Sequence, residues 1–209
     1  QMPKGFPELD FRSLASQSET VQPFAFLDGG SLPTDLALLK IIARKIDAKT
    51  YFEIGTWRGE SASNVASVVE KCYTLNLSDD ELRRRNLPEK YIQLHGHFSQ
   101  NNNGIIHLYG DSRSFDFSEY EGKMDLVFVD GDHHFDSVVQ DTQTAFKLLK
   151  PGGAIVWHDY ANSPEDVRWN VARAIFKGTP KEFRSRLRAV SHTLCAVYLP
   201  MELPSSARN

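Results

Sequence analysis

Apolar residues recur along this chain with two alternating periods. From Thr34, a candidate helix N-cap, Leu36, Leu39, Ile42, Ala43 and Ile46 fall at helical spacing. Residues 50–54 (TYFEI) then read as a short strand ending at Gly55, and residues 60–71 as a helix with Ala62, Val65, Ala66 and Val69 on one side. A second strand over 72–77 is followed by a charged stretch and a predicted helix over 87–100. Residues 105–109 form a third strand, and 124–129 (MDLVFV) a fourth, apolar enough to be buried on both faces. Residues 134–149 repeat Val138, Thr142, Ala145 and Leu149 on one helical face. After the Pro151-Gly152-Gly153 break comes a fifth strand over 154–157, then a helix over 166–176 and a terminal hairpin of 187–190 and 194–199 turning at Ser191-His192.

Strands alternating with helices of this length predict an α/β fold: a doubly wound, mostly parallel sheet with helices on both faces and an antiparallel C-terminal hairpin. Residues 1–33 lack period and mix Pro, Gly, Ser and aromatics. They read as an N-terminal arm or lid with Phe24, Phe26 and Leu27 available for packing, ahead of one domain over 34–209.

Composition narrows the function. The 209 residues carry a formal charge of −3, with 41% hydrophobic and 24% charged residues, the balance of a globular domain and not of a nucleic-acid binder. Neither a signal-like apolar segment at the start nor a run near membrane-spanning length is visible, so no membrane partner is expected. Cys72 and Cys195 stand far apart, which makes a reducing cytoplasm the expected location.

In such sheets ligands bind at the carboxyl ends of the strands, where strand order reverses. Four strand ends carry informative residues. Glu53-Ile54-Gly55-Thr56-Trp57-Arg58-Gly59-Glu60-Ser61 joins the first strand to a helix; its glycines permit a sharp turn and close ligand approach. Trp57 stands where a dinucleotide fingerprint needs its middle glycine, which disfavours a pyrophosphate and an NAD-dependent oxidoreductase. Asn76, 21 residues after Gly55, either accepts from a ribose hydroxyl, a role for which nearby Asp79 and Asp80 could substitute, or only ends its strand. Asp111 either accepts from an exocyclic amine or caps a turn, with Ser112 offering a backbone donor.

The densest group is Asp130-Gly131-Asp132-His133-His134 after the fourth strand with His158-Asp159-Tyr160 after the fifth. Asp130 and Asp159 follow adjacent strands, so their carboxylates converge, and with His158 they suit a divalent cation. His133 is a candidate general base. His95 and His97, two apart in a predicted helix, point to different faces and do not make a metal pair.

Together these residues resemble the class I S-adenosylmethionine-dependent methyltransferase superfamily, in its small-molecule O-methyltransferase branch that includes catechol and macrolide-sugar enzymes. The likeness covers roughly residues 36–199. YFEIGTWRGESA resembles the first cofactor motif, HLYGDSRSF the adenine-contacting segment, and LVFVDGDHHFDSVVQDTQTAFKLLKPGGAIVWHDY the stretch from strand four to strand five.

The resemblance implies a Rossmann-like sheet of seven strands and S-adenosylmethionine as cofactor. It places Glu53 near the methionine amino group and Gly55, Thr56, Trp57, Gly59 and Ser61 along the cofactor. Asn76 takes the ribose position, Asp111 and Ser112 the adenine edge, and Asp130 with Gly131 the wall of the methyl-transfer site. In metal-dependent members magnesium is held by Asp130 and the acids after strand five, a place taken here by His158 and Asp159. The implied reaction is O-methylation of a small-molecule hydroxyl, with His133 and Asp130 in catalytic roles. Acceptor choice is expected from residues 1–33, 80–103 and 162–168, and a homodimer built on the arm is the expected assembly. An amino-methylating nucleic-acid enzyme is disfavoured, because the chain is acidic and lacks the N/D-P-P-F/Y tetrapeptide.

Overall fold

The structure, a computed structural model, describes residues 5–15, 17–26 and 29–200. Leu27 and residues 201–209 of the expected domain lie outside the described residues. The chain order is β1 (Glu8–Leu9), α1 (Phe11–Leu14), α2 (Pro33–Lys45), β2 (Thr50–Ile54), α3 (Glu60–Ala66), β3 (Lys71–Asn76), α4 (Asp79–Arg84), α5 (Glu89–Ile92), β4 (Ile105–Tyr109) and β5 (Met124–Val129). There follow α6 (Phe135–Leu148), β6 (Leu149–Trp157), β7 (Ala161–Ser163), β8 (Asp166–Val167), α7 (Trp169–Gly178), a 3-10 turn (Lys181–Arg186), β9 (Leu187–Val190) and β10 (Ala196–Tyr198).

The main sheet runs β1-β9-β10-β6-β5-β2-β3-β4. Strands β6, β5, β2, β3 and β4 are mutually parallel, while β10 is antiparallel to both β6 and β9. The predicted α/β architecture and its antiparallel hairpin are therefore present, but the sheet has eight strands where seven were expected. The extra strand is β1, drawn from residues read as an aperiodic arm. It pairs in parallel with β9, where Ala189 N–H donates to Pro7 O at 3.1 Å and Ser191 N–H to Leu9 O at 3.0 Å. Covering the open edge of β9 gives those backbone groups partners. Two residues of strand carry too little periodicity to be seen in the sequence.

Side-chain alternation distributes the core over both faces. On β5, Val127 and Val129 pack on the side that also buries Val138 and Ala145 of α6 and Val171 and Ile175 of α7. Leu126 and Phe128 pack on the opposite side, with Leu38, Leu39 and Ile42 of α2 and Ala62 and Val65 of α3. No helix among the described residues is long and apolar enough to cross a membrane.

Several boundaries shift for local reasons. The N-cap of α2 is Leu32, with Pro33 in the first helical turn; Thr34 lies inside the helix and donates its hydroxyl to His192 O at 2.7 Å. Only Glu89–Ile92 of the helix predicted over 87–100 forms, and the rest is a series of turns. There the Gly96 and Phe98 N–H groups donate to the carbonyls of Trp57 and Arg58 at 2.6 and 2.9 Å, so backbone that would complete a helix instead binds the loop after β2. Strand β6 begins at Leu149, ahead of the Pro-Gly-Gly segment, and absorbs it as an irregularity in its pairing with β5. Asp166 and Val167 pair with β7, which delays α7 to Trp169.

Candidate active site

Strand order reverses between β2 and β5, so their carboxyl ends open the crevice in which a doubly wound sheet binds ligands. Gly55 ends β2 with φ 98°, and a Cβ there would strike the backbone carbonyl of Asp130 at the end of β5. Only glycine permits both that backbone and that approach. Gly59, at φ 83°, turns the chain into α3, where a Cβ would meet Ser99. Between them Trp57 adopts φ 39° and stacks on Tyr91, with ring centroids 4.9 Å apart, while the Arg58 guanidinium lies 4.0 Å from its ring. An aromatic stack thus occupies the loop position where a dinucleotide fingerprint has its middle glycine.

Glu53 is fully buried on β2. It accepts hydrogen bonds from the Tyr51 hydroxyl at 2.5 Å and the Thr74 hydroxyl at 3.1 Å, and Ser61 also donates to it. Burial, reinforced by Asp130, pushes its carboxyl up to about 8 despite those donors. Thr56 is buried and shares a hydrogen bond with Thr74.

A cleft runs from this turn across the ends of β3 and β4, lined by Gly55, Asn76, Leu77, Asp111, Ser112 and Gly131 with Arg85 and Arg113 at its rim. Asp111 is engaged at both oxygens: Oδ1 accepts from Arg113 N–H at 3.0 Å and Nε at 3.2 Å, and Oδ2 from Arg113 Nη2 at 2.9 Å and Arg85 Nη2 at 2.8 Å. Arg113, with help from Arg85, holds this carboxyl well below the usual range. Behind Ser112 lies Asp141, whose carboxyl burial pushes up to about 6.

The ends of β5 and β6 gather the charged residues. Ligand atoms of Asp130, His158 and Asp159 all lie within 4.8 Å of one another. His158 Nδ1 is 3.1 Å from Asp130 Oδ1 and 3.3 Å from Asp159 Oδ2, and its Nε2 is 3.2 Å from Asp35 Oδ2. Burial opposes charge on this ring, but the surrounding carboxylates, Asp130 foremost, hold its pKa well above the ordinary histidine value. His133 Nδ1 lies 3.1 Å from Asp159 Oδ2, and Arg168 Nη1 lies 3.0 Å from Asp159 Oδ1. Burial would raise the Asp159 carboxyl, yet His158, His133 and Arg168 lower it.

Most of the candidate residues fall into three groups at the carboxyl ends of β2 to β6, while Trp57 packs on Tyr91 and Gly59 against Ser99. Glu53, Thr56 and Ser61 form a buried wall, Asn76, Asp111, Ser112 and Gly131 the cleft, and Asp130, His133, His158 and Asp159 the charged end. Sequence reasoning missed Asp35, Arg168, Tyr91 and His95. Asp35 is completely buried, accepts from Leu32 N–H at 2.7 Å and Leu194 N–H at 2.8 Å, and meets His158 across 123 positions of chain. An acid in a first helical turn is ordinarily an exposed favourable charge, so nothing local marked it. His95, set aside as helical, sits in a turn with its Nε2 2.7 Å from Asn76 Nδ2.

The model of a family described as a methyltransferase domain matches residues 52–160, just over half of the chain. Over 128 residues the chain is 28% identical to the uncharacterized protein R132 of Acanthamoeba polyphaga mimivirus, a match covering 59% of this chain and 55% of that protein. The chain therefore spans about half the length of that curated relative. Among solved structures, an O-methyltransferase from Bacillus cereus in complex with S-adenosylhomocysteine (SAH) superposes with a TM-score of 0.56 at 17% identity, covering 83% of this chain and 84% of that one. TomG from Streptomyces achromogenes, an O-methyltransferase involved in tomaymycin synthesis and solved with S-adenosylmethionine, gives 0.54 at 16% identity with 83% of each chain covered. The SAH-bound methyltransferase PaMTH1 of Podospora anserina gives 0.55 at 20% identity, over 85% of this chain and 82% of that one. These likenesses establish the shared fold. The family match over β2 to β6 shows that this chain belongs to the methyltransferase-domain family.

Proposed function

We propose that the protein transfers a methyl group from S-adenosylmethionine to a hydroxyl oxygen of a small molecule. One observation carries this reading: the close approach of Gly55 to the Asp130 backbone lies at the same strand ends as the Asp130–His158–Asp159 cluster, whose Asp159 pairs with His133. The adenosine half of the cofactor would lie in the cleft beside Asn76, Ser112 and Gly131, and its methionine half would run past Gly55 toward Glu53. That the Bacillus cereus and Streptomyces structures are both O-methyltransferases supports the choice of oxygen.

In this reading the acceptor's oxygen attacks the methyl carbon in line with sulfur. The carbon–sulfur bond breaks as the carbon–oxygen bond forms, leaving SAH. His133 Nδ1 faces Asp159, which keeps its hydrogen on that nitrogen and leaves Nε2 to accept the hydroxyl proton. The rest of the protein's contribution is alignment of the reacting atoms and exclusion of water.

The donor set Asp130, His158 and Asp159 also fits a divalent cation. Three ligand atoms converge, and Asp35 stands behind His158 as carboxylates commonly do behind ligating histidines. One nitrogen among two carboxylates suits manganese, iron or zinc better than magnesium. Such an ion would lower the pKa of an acceptor hydroxyl. Residues 1–33, 80–103 and 162–168 are proposed to select the acceptor, and a homodimer remains the proposed assembly.

Titration calorimetry with S-adenosylmethionine and SAH, each with and without magnesium or manganese, tests the assignment. Binding of both ligands, weakened at least tenfold by Asp130→Ala, is expected on the loss of one or two directional contacts. Absence of heat at millimolar ligand overturns the cofactor reading; binding indifferent to Asp130→Ala overturns its placement.

A further inference from the structure

Nucleotide-binding parallel sheets commonly present an acid to the ribose about twenty residues after the glycine turn; this chain presents Asn76 there. An amide can serve only if its oxygen, and not its NH2, faces the ligand. The surroundings of Asn76 decide that orientation. Its Nδ2 lies 2.7 Å from His95 Nε2, and His95 Nδ1 lies 2.7 Å from Asp79 Oδ1. A carboxylate only accepts, so Nδ1 carries a hydrogen, and in the neutral ring Nε2 is then the accepting nitrogen. The group facing Nε2 must then be a donor, the Asn76 NH2. Asn76 Oδ1 is left without a protein partner among the described residues, on a side chain lining the cleft beside Leu77 and Asp111.

The turn that carries His95 is itself anchored. Its Gly96 N–H donates to Trp57 O at 2.6 Å and Phe98 N–H to Arg58 O at 2.9 Å, tying it to the glycine loop after β2. The His95 side chain is only 7% exposed, and its ring meets Tyr109 of β4 edge-on with centroids 6.3 Å apart. Ring position and hydrogen placement are thus both constrained.

We infer that His95 and Asp79 are positioning residues that lock the Asn76 amide with its oxygen toward the cleft, as a neutral acceptor for the ribose hydroxyls of the adenosyl cofactor. The inference rests on the cofactor reading above. Asn76 would touch the ligand; His95 and Asp79 would act through it.

The test compares SAH with its analogue lacking both ribose hydroxyls, by calorimetry on the full chain. His95→Ala is expected to weaken SAH by about tenfold, one hydrogen bond's worth, and to leave the analogue unchanged. Asp79→Asn, at a half-exposed side chain outside the core, frees the tautomer and should produce a smaller loss with the same selectivity. Asn76→Asp introduced into the His95→Ala protein should restore SAH affinity, because a carboxylate accepts at either oxygen. Equal losses for both ligands, or failure of Asn76→Asp to rescue, would reduce His95 to a packing residue and overturn the inference. If the unaltered protein binds neither ligand, the cofactor reading itself falls, an outcome distinct from SAH binding without hydroxyl selectivity.

Discussion

Glu53 lies fully buried on β2 with its carboxyl pushed up to about 8, chiefly by loss of water. In the unfolded chain it titrates near 4.5, so the folded protein holds an extra proton between those values. The stability contributed by the neutral form is complete below about pH 4.5 and is lost as pH rises through about 8. Melting temperatures measured from pH 5.5 to 8.5 should therefore fall more steeply in the unaltered protein than in Glu53→Gln, which has no proton to lose; parallel curves would contradict the assignment. A ligand ammonium beside Glu53 favours its charged form, so cofactor binding at neutral pH should release a proton, visible as a buffer-dependent calorimetric enthalpy. His133 belongs to the same scale. Replacing it with alanine should lower kcat by roughly 10²–10⁴-fold, the span of general-base catalysis, while SAH affinity stays within twofold.

Between elements, the site depends on how closely β2 and β5 approach. Gly55→Ala adds a methyl group that meets the Asp130 carbonyl and forces an L-residue to φ 98°. The strand ends must separate, at a cost of about 1–3 kcal/mol, and cofactor binding should disappear along with that approach. Asp35 accepts from the N-cap of its own helix and joins α2 to two other elements, the β9–β10 turn through Leu194 N–H and the end of β6 through His158. Removing one partner of a buried pair leaves the other uncompensated, so Asp35→Ala should cost about 3–5 kcal/mol in urea unfolding. A loss below 1 kcal/mol would mean that His158 is held by Asp130 and Asp159 alone.

At the scale of the whole molecule, Phe6 and the β1 strand belong to the fold and not merely to its surroundings. Phe6 is 5% exposed and stacks on Tyr160 with centroids 5.0 Å apart, and its N–H donates to the Tyr160 hydroxyl at 2.9 Å. Tyr160 directly follows Asp159, so this contact braces the charged end of the crevice from outside the sheet. Phe6→Ala should destabilise by about 3 kcal/mol, as aromatic truncations in cores do, and should also weaken any divalent cation bound at Asp159. A cation affinity unchanged by this substitution would separate the brace from the site.

Much of this is legible in the amino-acid sequence. The parallel core, its glycine turn and the carboxylates after β5 and β6 follow from periodicity and from residues adjacent in the chain, because an alternating pattern dictates which face is buried and a strand end dictates where a side chain emerges. The eighth strand escaped because a two-residue pairing is stabilised by its partner edge and leaves no pattern of its own. Asp35 with His158, His95 with Asn76 and Phe6 with Tyr160 escaped for a related reason: each is a contact between segments far apart in the chain. Whether a side chain serves as cap, brace or acceptor is decided by what packing brings against it, and that information resides in the folded molecule alone.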